Sequence, residues 1–234
     1  MSRPAKKPAS LDVVLASAAR LQELVPGAVL VGGSAAAYHA RHRLSFDHDH
    51  ILEDLTERFD VVLETLEALD DWSTARVAGG RLILGELGGI ETGIRQMIRQ
   101  RPLEIEEVVV GERTLRVPTP EEILRIKAWL VVSRNRTRDY LDAAALSDRV
   151  GITSAAHVLT GMDDYYAEVN GRPEAVATQV ARQFADPEPK DPLVTKDLRS
   201  YKQLDPRWHD WTAVVETLRE VAVAMVGAIP KTAR

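Results

Sequence analysis

Ala28-Val-Leu-Val-Gly-Gly-Ser-Ala-Ala-Ala-Tyr-His-Ala40, followed closely by Arg43-Leu-Ser-Phe-Asp-His-Asp-His-Ile-Leu52, is the stretch whose reading decides the fold. Ala28 to Val31 is a short apolar, β-branched run, Gly32-Gly33-Ser34 reads as a tight turn, and Ala35 to Arg41 is strongly helix-forming. Strand, glycine turn and helix in that order make an anion site. Glycines let the backbone approach a phosphate, and the N–H groups and dipole of the helix start point at its charge. Ser34 adds a hydroxyl donor. Asp47 and Asp49 then stand two apart before Ile51-Leu52, a spacing that on a strand puts both carboxylates on one face. Two aligned carboxylates beside a phosphate cradle suit Mg²⁺, which takes hard oxygen ligands from one or two carboxylates and from the substrate's phosphates.

With 234 residues the chain can bury a substantial core, as one large domain or two small ones. Its longest apolar runs are too short to span a bilayer, and Met1 to Ser10 lacks the apolar core of a signal peptide. No membrane role is expected. The absence of cysteine excludes disulfides and thiolate metal sites and makes a cytoplasmic location the default expectation. Lys+Arg 30 against Asp+Glu 35 gives a net charge of −5, so nothing attracts the chain globally to nucleic acid. Contacts with RNA would have to be local, at Arg95, Arg99 and Arg101 or at Arg134, Arg136 and Arg138. Either group also reads as a solvated basic face or helix end.

Outward from the central stretch, residues 1–9 read as a disordered lead. Ser10 caps a helix from Leu11 to Leu24 that Pro26-Gly27 stops, and Thr56 caps another to about Leu69. From Trp72 to Val117 the pattern is β-rich, with strands over 81–85, 89–94 and 104–110 and a tight turn at Gly111-Glu112 into 113–117. Thr119-Pro120-Glu121-Glu122 then starts a helix to about Ser133, otherwise apolar where it carries Lys127. After a loop, Arg138-Asp-Tyr-Leu-Asp142 opens the next helix, with Asp139 in its first turn. Helices are expected over 153–169, 173–184 and 206–228, with a stiff Pro-rich connector over 186–192. His48 and His50, on the strand face opposite the aspartates, read as packed or exposed residues and not as metal ligands.

The glycine turn followed by Asp-x-Asp on the next strand resembles the nucleotidyltransferase superfamily. Arg43-x-Ser45-x-Asp47-x-Asp49 narrows the likeness to the AbiEii/AbiGii-type family, the toxin half of bacterial toxin–antitoxin and phage-defence pairs. The resemblance covers roughly residues 28 to 146. It implies an α+β fold, with a nucleotidyltransferase-like mixed sheet and flanking helices over 10–118 and a C-terminal helical domain over 119–234. It implies a Mg²⁺-dependent enzyme that moves a nucleoside monophosphate from an NTP to a hydroxyl, the 3′ end of tRNA in the family, with a cognate antitoxin as partner. Gly32, Gly33, Ser34, Arg43 and Ser45 would bind nucleotide, and Asp47 and Asp49 would be catalytic and hold the metal. Lys127 and Asp139 match the family's C-terminal motif and would complete the catalytic set. The superfamily's third strand carboxylate falls here on Gly93, with Glu91 one pleat away on the same face. Two alternatives stay open: a small-molecule nucleotidyltransferase of the antibiotic-modifying kind, which shares the Gly-Ser…Asp-x-Asp core and is suited by the −5 charge, and a catalytically silent nucleotide-binding module, which Gly93 keeps in view.

Overall fold

A computed structural model describes residues 10–228, and the lead expected over 1–9 lies outside the described residues. The chain divides into two compact units. One comprises the residues up to Ser34 together with Leu44–Met97 and Glu106–Val117. The other comprises Ala35–Arg43, Ile98–Ile105 and the chain from Pro118 onward.

The first unit is built on a five-stranded sheet. Helix α1 (Leu11–Leu24) precedes it, with the Ser10 hydroxyl accepting the Val13 N–H as expected of an N-cap. Strand β1 (Val29–Val31) runs into helix α2 (Gly32–Ala40), whose first three residues belong to this unit. Gly32-Gly33-Ser34 is therefore not a separate turn but the opening of the helix, with Gly32 at φ +74, where a side chain would be strained. Next come β2 (Asp47–Leu52), helix α3 (Leu55–Glu67), β3 (Trp72–Ala78), β4 (Leu82–Leu87) and β5 (Ile90–Gln96). The order is β1-β2-β5-β4-β3, with β2 and β5 parallel and the other pairs antiparallel. The result is a mixed sheet with flanking helices, the α+β architecture read from the sequence.

Its two faces differ as period-two alternation demands. Leu52, Ile83, Leu87 and Ile94 point to a core closed by Leu21 of α1, Val25 just past its end, and Leu55, Val62 and Leu66 of α3. Asp47, Asp49 and Ile51 point the other way and are half-buried. Two details depart from expectation. The Thr56 hydroxyl does not cap α3 but donates to the Gly80 carbonyl, while Asp54 holds the cap position. Strand β3 was not legible as a separate strand, because after Trp72 its residues are nearly all exposed and carry no alternation. Strands β6 (Ile105–Val110) and β7 (Arg113–Pro118) form the expected hairpin as a separate two-stranded sheet.

The second unit is helical. Helix α4 (Pro120–Arg134) has Thr119 as its cap and Pro120 in its first turn, and Asn135 in the left-handed region ends it. Helices α5 (Thr137–Val150), α6 (Ile152–Thr160), α7 (Asp163–Tyr166), α8 (Val176–Ala185) and α9 (Trp211–Ala228) follow, with α9 packed on α5, α6 and α8. The single helix expected over 153–169 breaks at Gly161. There the Asp163 carboxylate turns to accept the N–H groups of Val176 and Ala177, capping α8. Likewise α9 begins at Trp211 and not at Pro206, where Asp205 caps a short 3₁₀ turn instead.

Candidate active site

Within the first unit, Asp47 and Asp49 lie on the half-buried face of β2. The Ser34 hydroxyl donates to the Asp47 carbonyl, tying the start of α2 to the start of β2. Its only donor is thereby engaged inside the protein. The Ser45 hydroxyl in turn donates to Asp47 Oδ1 at 2.6 Å, so Ser45 orients the carboxylate. Arg95 Nε stands 3.7 Å from Asp49 Oδ1.

Asp49 is framed by glycine on both sides. The register pairs it with Val31, the residue before Gly32, and with Gly93 on β5. A Cβ built on Gly32 would lie 3.2 Å from Asp49 Oδ2, and one built on Gly93 would lie 2.4 Å from Oδ1. Glu91 shares the face beside Asp47 and is exposed. Behind the site, His48 and His50 are fully buried. Burial pushes His48 down to about 4, and it holds His50 well below the ordinary imidazole range, so both are neutral packing residues.

Among the described residues no group of three or more His, Asp or Glu is arranged to hold a metal ion. Two carboxylates on one face, with the helix start of Gly32 and Gly33 alongside, do fit an ion that draws its remaining ligands from phosphate oxygens.

The second unit carries its own charged cluster, centred on Asp142. This side chain is fully buried, and three cationic or donor groups converge on it. The His42 Nε2–H donates to Oδ1 at 2.7 Å, Arg43 donates through Nε at 2.8 Å and Nη2 at 3.0 Å, and Lys127 Nζ lies 2.7 Å from Oδ2. Burial alone would raise the Asp142 carboxyl, but Arg43, Lys127 and His42 outweigh it and hold it well below the usual carboxylate range. Burial lowers His42, which is thus neutral with its proton on Nε2, the tautomer an acceptor-only carboxylate demands. Lys127 is only 3% exposed and sits among carboxylates. The Arg43 expected at a nucleotide is here in a bidentate pair with Asp142.

Asp139, one turn earlier on α5, is fully buried, and neither of its oxygens has a hydrogen-bond partner among the described residues. Burial pushes its carboxyl up, opposed by Lys127. The exposed Arg134, Arg136 and Arg138 surround this helix start. In the other basic group Arg99 is buried, pairs with Glu122 at 2.6 Å and stacks on Tyr165 and Tyr166, whereas Arg95 is half-buried and Arg101 is exposed. The central role of Asp142 and the part played by His42 were missed in the sequence. The only signals were the three-residue step from Asp139 to Asp142, which puts both on one helix side, and the adjacency of His42 to Arg43.

No protein-family model matches the chain. It is 42% identical over 114 residues to the heme uptake protein MmpL11 of Mycobacterium tuberculosis, covering 45% of this chain and 11% of that protein. It is 38% identical over 130 residues to the mycolic acid-containing lipids exporter MmpL11 of Mycolicibacterium smegmatis, 55% of this chain and 13% of that protein. The chain thus spans little more than a tenth of the length of the curated relatives it matches. No helix among the described residues is long and apolar enough to cross a membrane. Solved structures similar in fold include the antibiotic-resistance factor ANT(2'')-Ia, with a TM-score of 0.48, 12% identity, and coverage of 68% of this chain and 94% of that chain. Another is an antigenic nucleotidyltransferase-like protein from Paracoccidioides brasiliensis, with a TM-score of 0.48, 15% identity, and coverage of 82% and 94%.

Proposed function

We propose that the chain is a Mg²⁺-dependent nucleotidyltransferase, moving a nucleoside monophosphate from an NTP to an acceptor hydroxyl with release of pyrophosphate. The observation that carries this reading is the placement of Asp49 against Gly32, which sets a carboxylate pair at the N-terminus of the helix that follows β1. Gly32 and Gly33 would offer backbone N–H groups to the phosphates, and Asp47 and Asp49 would hold the ion. The ion, when bound, neutralises charge on the phosphoryl oxygens. Ser45 keeps the Asp47 carboxylate turned for that task, and Ser34 anchors the helix start to the strand. From the family resemblance, Lys127 would balance triphosphate charge and Asp139 would position or deprotonate the acceptor hydroxyl. RNA, at the 3′ end of tRNA, is the acceptor that resemblance favours, with the chain acting as the toxin of a toxin–antitoxin or phage-defence pair.

The likeness to MmpL11 favours a second reading, in which the matched stretch is a module that also serves within a transport protein and transfers nothing. Radiolabel transfer from NTP separates the two, and calorimetry with each NTP, with Mg²⁺ and then with EDTA, tests the ion's part in the first. Two carboxylates repel a bare triphosphate, so the enzyme reading expects clearly tighter binding with the ion. Equal affinity in both conditions would overturn it.

A further inference from the structure

The absence of a carboxylate at position 93 is explained by the space around Asp49. Gly93 lies in the interior of β5, directly beside Asp49 of the parallel strand β2. Glycine there weakens a strand by about 0.5–1 kcal/mol relative to alanine and needs a reason. Backbone conformation is not that reason, because Gly93 is not among the residues of positive φ. Space is. A Cβ at 93 would come within 2.4 Å of Asp49 Oδ1 and 3.1 Å of Leu84 Cδ2. The nearer atom is the tip of a side chain with two torsions, so the fold could accept alanine cheaply by turning Asp49 aside. The carboxylate could not then keep its pose between the two glycines.

We propose that Gly93 is a positioning residue for the metal. Its missing side chain is what holds the Asp49 carboxylate in line with Asp47, and an aspartate placed at 93 displaces Asp49 instead of joining it as a third ligand. This rests on the assignment of Asp47 and Asp49 to an ion. Its consequence is that position 93 supplies neither a third carboxylate to the metal nor the general base for the acceptor.

The test uses Mn²⁺ alone, followed by water-proton relaxation on the full chain, beside a thermal melt of each variant. Gly93→Ala and Gly93→Asp are expected to weaken Mn²⁺ by about 10–100-fold, the loss usual when a ligand's support is removed, and Gly93→Ala is expected to melt no lower than wild type. Gly93→Ala combined with Leu84→Val should not restore binding, because the decisive clash is with Asp49. Tighter Mn²⁺ in Gly93→Asp, wild-type binding in Gly93→Ala, or rescue by Leu84→Val would each overturn the proposal. So would a Gly93→Ala chain that melts far below wild type, since packing would then be the reason for glycine. Asp49→Ala separates the two layers of argument. If it binds Mn²⁺ like wild type, the metal assignment itself fails; if it loses Mn²⁺ while Gly93→Ala does not, only the role of Gly93 fails.

Discussion

Replacing Asp142 by alanine removes one carboxylate and strands three groups. Arg43 and Lys127 keep their charges in a site where their side chains are 9% and 3% exposed, and His42 loses the acceptor of its Nε2–H. Breaking a buried pair by deleting one partner costs about 3–5 kcal/mol, because the surviving charge stays buried. At about 2–4 °C per kcal/mol for a chain of this length, the helical unit should melt roughly 6–20 °C lower. The sign with acid follows from the depressed Asp142 carboxyl. Its stabilisation is fully present above the unfolded value of about 4 and is lost as the pH falls below it toward the folded one. In calorimetric melts between pH 7 and pH 2.5 the gap between wild type and Asp142→Ala should therefore narrow steadily below about pH 4. A variant within about 1 kcal/mol of wild type at pH 7, or a gap that does not narrow in acid, would refute the view that these groups depend on Asp142.

Asp139→Asn should behave oppositely. Its carboxyl is raised, so its charge disfavours the fold once the pH rises above the unfolded value. The variant should be more stable than wild type by about 1 kcal/mol at pH 7 and equal to it near pH 3, as read by the same melts. Asp49→Ala, on a half-exposed position, should leave stability within about 0.5 kcal/mol and remove NTP transfer, as read by melt and radiolabel. Arg99→Ala leaves Glu122 fully buried beside Arg125 alone and should cost about 3–5 kcal/mol in urea unfolding; a loss under about 1 kcal/mol would show that Arg125 suffices.

What the sequence revealed was whatever depends on local pattern. The Ser10 and Thr119 caps, the alternation of Asp47 and Asp49 with buried His48 and His50, and the β6–β7 hairpin follow from neighbours in the chain. Gly93, read from the family resemblance as the position of a third carboxylate, pairs with Asp49 in the register. Long-range partners were not legible. Nothing near residue 42 announces a bond to residue 142, and Arg99 looks basic and exposed until Glu122 and the two tyrosines are placed around it. Ser34 likewise looks like a phosphate donor until the Asp47 carbonyl is found accepting its hydroxyl hydrogen bond. Edge strand β3 escaped because exposed residues carry no period.

Transfer of a nucleotide by a metal-bound carboxylate pair is read by incubating the full chain with each α-³²P-labelled NTP, Mg²⁺ and total RNA, and resolving RNA from small molecules. Label is expected to join an acceptor, to depend on Mg²⁺ and to be absent with Asp49→Ala. Label in RNA supports the toxin-like acceptor, and label in a small molecule supports the antibiotic-type one. No label in either fraction with any of the NTPs, or equal label with Asp49→Ala, would contradict transfer by that pair.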